Sequence, residues 1–167
     1  MSGVVFVAQA FQACDRGAES PALQVNKVYR RILIAIENSA ADRTILTHAA
    51  ELAKLAGSEL LLVHVADGWA ARHFDELQLR ESEEMQADRA YLDRLRDELA
   101  AQGFGVETHL AMGDPATELV RVAEEQHVDL VAMATHGHRF IADVLHGTTA
   151  DRVRHLLKIP VLLLRAQ

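Results

Sequence analysis

Asp129-Leu130-Val131-Ala132-Met133-Ala134-Thr135-His136-Gly137 reads as a buried strand running into a glycine turn, and Gly147-Thr148-Thr149 then opens a helix. Nine residues separate the two glycines. Such a layout gathers backbone N–H groups and side-chain hydroxyls around one point. A helix N-terminus leaves about four N–H groups without partners and carries partial positive charge, so the chemistry on offer is anion binding, phosphate above all. Thr148 and Thr149 also read as helix caps, which is compatible with donating to a phosphate. His138 and Arg139 would add positive charge over the same loop.

Other chemistries fit less well. His136, His138 and His146 flank the loop, and three imidazoles can hold a transition metal, but regular ligand spacing and a fourth donor are missing. The expectation is no resident metal; magnesium would arrive with a nucleotide. His48, His109, His127 and His155 read as surface or satisfied core residues. There is no G-x-x-x-x-G-K-[ST] loop, no G-x-G-x-x-G after the first strand and no G-x-S-x-G elbow. A Walker-type NTPase, a dinucleotide dehydrogenase and a serine hydrolase are therefore disfavoured. No nucleophile or general base stands out, so no catalytic residue is expected and the chain reads as a binding module.

The elements that must position this loop alternate along the chain. Arg31–Ile36 and Glu59–Val65 are apolar runs suited to strands covered on both faces. Between them lies a helix with Ile45, Ala49, Leu52, Ala53 and Ala56 on one stripe, capped by Ser39 or Asp42 and stopped at Gly57. Residues 66–78 read as a loop. A charged helix follows over about 79–101, with Leu92, Leu95 and Leu99 on one face and Gly103 closing it. The more polar Val106–Ala111 suits a strand at a sheet edge. Gly113-Asp114-Pro115 opens a helix whose inward residues would be Ala116, Leu119, Val120 and Ala123. After the Asp129–Thr135 strand and its loop comes a helix bearing Val153, Leu156 and Leu157. Ile159–Leu164 closes the series as a fifth strand. Alternating strands and helices predict a doubly wound α/β sheet.

The chain has 167 residues, half of them hydrophobic and a quarter charged, which suits one domain with an adequate core. Its formal net charge of −7 without a basic stripe argues against nucleic acid and anionic membrane as partners. The single cysteine, Cys14, excludes an internal disulfide and points to a reducing, cytoplasmic compartment. Gly3–Phe11 is apolar, but no Lys or Arg precedes it, so a secretory signal is not expected. Residues 1–28 read as an N-terminal extension and 29–167 as the domain.

The motif and the order of elements together resemble a known family. Ala134-x-x-Gly137-x9-Gly147-Thr148 is similar to the G-2x-G-9x-G-(S/T) nucleotide-binding signature of the universal stress proteins, with alanine at the first glycine. The resemblance implies a five-stranded parallel sheet of order 3-2-1-4-5, with the ligand crevice between the first and fourth strands. It implies ATP or AMP as ligand, with magnesium carried by the nucleotide. It places nucleotide-binding residues at Ala35, Ile36, Glu37 and Ser39, at Val65, at Met133, Ala134, His136, Gly137 and His138, and at Gly147, Thr148 and Thr149. Glu37 stands where the family usually has aspartate. The implied role is a stress-response protein acting by binding and signalling, as a homodimer paired through its C-terminal strand. The alternatives are a slow ATP hydrolase, or a member that binds no nucleotide and acts through protein contacts.

Overall fold

A computed structural model describes residues 28–66, 83–135 and 149–165. Five parallel strands form one sheet of order β3-β2-β1-β4-β5: β1 Arg31–Ile36, β2 Glu59–Ala66, β3 Val106–Met112, β4 Leu130–Thr135 and β5 Val161–Arg165. Among the described residues four helices accompany them: α1 Ala41–Ala56, α2 Glu83–Ala100, α3 Pro115–Glu125 and α4 Thr149–Leu156. The expected doubly wound sheet and its strand order are both present.

Strand alternation divides the core in two. Ile32, Ile34 and Ile36 of β1 join Ile45 and Ala49 of α1 and Leu92, Leu95 and Leu99 of α2 on one face. Leu33 and Ala35 join Leu119 and Val122 of α3 and Val153 of α4 on the other. Ile34 and Leu62 are fully buried, as the unbroken apolar runs of β1 and β2 predicted. In α3 the buried stripe is Ala116, Leu119, Val122 and Ala123. Val122 takes the place expected of Val120, which is only half-buried against the same cluster. Of the apolar residues that α4 bears, Val153 is fully buried and Leu156 is 54% exposed.

The helix ends follow their punctuation in most cases. Gly57 adopts φ 65° after α1, a left-handed conformation that glycine reaches without steric cost. Asp114 caps α3 by accepting the Thr117 N–H, with Pro115 in the first turn. At α1 the expected cap is Ser39, whose hydroxyl accepts the Ala41 N–H, while Ala40, directly before the helix, makes no side-chain bond to it. Asp42 turns backwards instead and accepts N–H groups from Glu37 and Ser39 in the preceding turn.

β4 begins one residue later than its apolar run suggested. The Asp129 side chain accepts the N–H groups of Arg30 and Arg31 and so ties the start of β4 to β1. Burial pushes this carboxyl up, but those donors outweigh it, and its pKa lies below the usual carboxylate value. β5 begins at Val161, because Ile159 packs against the core and Pro160 offers only its carbonyl, which accepts the Val131 N–H. Among the described residues no helix is long and apolar enough to cross a membrane. The expected N-terminal extension lies outside the described residues except for its last residue, Val28.

Candidate functional site

All five strands are parallel, so their carboxyl ends and the N-termini of the following helices meet at one edge of the sheet. A cavity of about 420 Å³ opens there, over the ends of β1 and β2. That volume lies within the usual range for small-molecule pockets, roughly 300–1,000 Å³. Ala35, Ile36, Glu37 and Asn38 form one wall, and Val63 to Ala66 form another. Pro115 and Leu119 of α3, Thr149 of α4 and Asp88 of α2 complete the lining. A larger groove, about 660 Å³, runs between α1 and α2. The smaller cavity is the better candidate, because open α/β sheets bind ligands beyond their strand ends.

Of the residues singled out in the sequence, Ala35, Ile36, Glu37, Val65 and Thr149 line this cavity. Ser39 lines the α1–α2 groove instead, and its hydroxyl accepts the Ala41 N–H. Met133 and Ala134 are buried in the two core clusters beneath the end of β4. Among described non-glycine residues only Asn38 and His127 have positive φ, so Ala134 sits in a backbone region open to any L-residue. His136, Gly137, His138, Gly147 and Thr148 lie outside the described residues.

Two helix N-termini converge on the cavity. α3 contributes Pro115 and α4 contributes Thr149, each at the positive end of a helix dipole, which at α3 already faces the Asp114 cap. A bidentate ion pair ties them together. Arg152 Nη1 and Nη2 donate to the two carboxylate oxygens of Asp114 at 2.8 and 2.7 Å. The Arg152 guanidinium, followed by the Thr117 hydroxyl, holds the Asp114 carboxyl well below the usual carboxylate range.

A buried polar network lies under the other side. His64 Nδ1 is 2.7 Å from the Ile36 carbonyl oxygen, and Nε2 is 3.3 Å from Asp88 Oδ2. Asn38 Nδ2 donates to Asp88 Oδ1 at 3.1 Å. Tyr91 donates its hydroxyl to Asp42 at 3.0 Å. Burial, reinforced by the Asp42 charge, pushes the Tyr91 phenol up to about 12. Both ring nitrogens of His64 thus face a partner, the Ile36 carbonyl and the Asp88 carboxylate. Among the described residues no group of three potential metal ligands is assembled.

The sequence reading passed over His64 and Asp88. His64 carried a signal, because it is the one polar residue in the apolar stretch Leu60–Val65. Asp88 carried none, being one acid among many on a charged helix.

The universal stress protein family model matches residues 28–165. Universal stress protein MJ0577 of Methanocaldococcus jannaschii is 24% identical over 155 residues, covering 83% of this chain and 96% of that protein. The solved structure of MJ0577 superposes with a TM-score of 0.70 at 25% identity, covering 84% of this chain and 98% of the other. A universal stress protein in complex with cAMP gives a TM-score of 0.64 at 20% identity, with 83% and 98% covered. The universal stress protein of Archaeoglobus fulgidus in complex with dAMP gives 0.59 at 21%, with 81% and 98% covered.

Proposed function

Since the chain belongs to the universal stress protein family, we propose that it binds an adenine nucleotide, ATP or AMP, in the crevice over β1 and β2. It acts in the cytoplasm in stress response by binding and signalling rather than by turnover. The observation that carries this reading is the cavity itself, walled by apolar Val65 and Ile36 and closed by the N-termini of α3 and α4. An adenine ring fits between apolar walls, and a phosphate fits the partial charge of helix N-termini. Glu37 offers a carboxylate to ribose hydroxyls. Phosphates lie towards Thr149, with Gly137, Gly147 and Thr148 as their further cradle and His136 and His138 adding charge. The methyl of Ala134 packs with the Ile34 cluster, which supports alanine in place of the signature's first glycine. Magnesium comes with the phosphates. The cAMP and dAMP held by two structural relatives support an adenine nucleotide as the ligand class.

Assembly is part of the same reading. β5 lies at an edge of the sheet and its residues Val161–Leu164 are only half-buried. An apolar edge of this kind recruits a second strand, giving a homodimer with a two-fold interface.

Mass spectrometry of small molecules released from the denatured, purified protein should find an adenine nucleotide. Calorimetry with AMP and ATP should show binding that Gly147→Val with Thr148→Ala abolishes. Unchanged affinity in that folded double variant would overturn the phosphate assignment. ATP should survive long incubation; hydrolysis at about one per second or faster would overturn the binding-only reading.

A further inference from the structure

The turn Glu37-Asn38-Ser39 joins β1 to α1 at the mouth of the crevice, and all three residues are exposed. Asn38 holds φ 57°, a left-handed conformation that asparagine reaches more readily than other non-glycine residues. Three side-chain bonds hold it. Asp42 Oδ1 accepts the Glu37 N–H at 2.9 Å, Asp42 Oδ2 accepts the Ser39 N–H at 3.1 Å, and Asp88 accepts the Asn38 amide.

Two of the groups behind these bonds stand on α2. Asp88 binds Asn38 directly, while Tyr91 bonds to the same Asp42 oxygen that receives Ser39. Three positions apart on a helix, Asp88 and Tyr91 share a face. Asp42 is 1% exposed and Asp88 is 8% exposed. Carboxylates so far from water must keep their partners, because an unpaired buried charge is costly. A shift of α2 therefore disturbs the turn at two points one helical turn apart, and His64 at the crevice wall with it.

We propose that Asp88 and Tyr91 are positioning residues through which α2 sets the shape of the β1–α1 turn and hence the affinity of the crevice for its ligand. The link to affinity rests on the nucleotide reading above; the control of the turn does not. Linkage makes the coupling reciprocal, so ligand binding in turn steadies α2.

Amide hydrogen exchange in the full chain, free and with AMP, tests both parts. Tyr91→Phe removes one hydroxyl, and Asp88→Ala removes the carboxylate. Each should speed exchange at the Glu37 or Ser39 amide about tenfold, the scale of one lost hydrogen bond to a charged group. Each should weaken AMP binding by a similar factor. Leu99→Ala, at the far end of α2, is the control: it should lower stability while leaving both readouts in place. Unchanged exchange at Glu37 and Ser39 in folded Tyr91→Phe would overturn the proposal, whatever Asp88→Ala does to folding. Faster exchange with unchanged AMP affinity would overturn the link to binding. Wild-type protein that binds no AMP would remove the nucleotide reading, and the exchange data alone would then decide the control of the turn.

Discussion

Replacing Asp42 by alanine should cost about 2–4 kcal/mol of folding stability. Asp42 is 1% exposed and accepts from Glu37 N–H, Ser39 N–H and Tyr91 Oη–H. A hydrogen bond to a charged group is worth about 1.5–3 kcal/mol, so three lost outright would remove roughly 4.5–9 kcal/mol. The full loss does not apply here. Glu37 and Ser39 are exposed, so their freed N–H groups can turn to water, whereas the half-buried Tyr91 hydroxyl has less access to it. Discounting the first two gives the lower figure, still a large share of the 5–15 kcal/mol typical of a domain. Urea unfolding is the assay. With a slope of about 2 kcal/mol per molar, the midpoint should fall by about 1–2 M at unchanged slope. Asp42→Asn sharpens the test: an amide oxygen facing Ser39 and Tyr91 keeps two donors, and its NH2 then opposes the Glu37 N–H. That variant should disturb the Glu37 amide resonance more than that of Ser39. A midpoint shift below about 0.3 M for Asp42→Ala would refute the carboxylate as organiser of this turn.

Three further outcomes are expected. Asp114 has a folded pKa below its ordinary 3.8, so the unfolded chain takes up the proton first as pH falls. The stability it contributes is complete above the unfolded value and is lost as pH drops through 3.8 towards the folded one. Since Asp114 is 46% exposed, screening limits that contribution to about 0.5–1 kcal/mol. Urea midpoints measured between pH 5.5 and pH 3 should accordingly fall less steeply in Asp114→Asn than in wild type. Leu62→Ala, at a fully buried β2 position, should cost about 2–5 kcal/mol by calorimetry, and a loss under about 1 kcal/mol would contradict the packing described. By light scattering the wild type should be dimeric at micromolar concentration. Leu162→Lys should move it towards monomer, with circular dichroism checking that the fold survives, because Leu162 also packs on its own core.

Sequence alone was enough for the architecture, because strands, helices and turns are signalled locally. The apolar runs of β1 and β2 predicted burial on both faces, and Ile34 and Leu62 are fully buried. Gly57 and Asp114-Pro115 marked helix ends through backbone and capping preferences that act within one turn of chain. The polar composition of β3 matched its place at a sheet edge. Strand order was not written in any local pattern; it came from resemblance to a family.

The site was legible where its residues lie at a strand end or, like Thr149, open a helix at positions that the family resemblance marks. Glu37 and Val65 could be found that way, and both line the cavity. The Asp88 carboxylate could not. Its partners, Asn38 and His64, lie 50 and 24 positions away, and the helix between Glu83 and Ala100 carries several other acids. Nothing local distinguishes the acid that points at a crevice from those that face water. Asp42 shows the same limit at shorter range. Its type and position suit a helix cap, yet the acceptor that could have served α1 is committed to the turn before it and to Tyr91. Propensity says which bonds a side chain can make. Only the packing of α2 against β2 and β3 decides which of them it does make, because that packing excludes water and leaves each buried charge to be satisfied by the groups brought within reach.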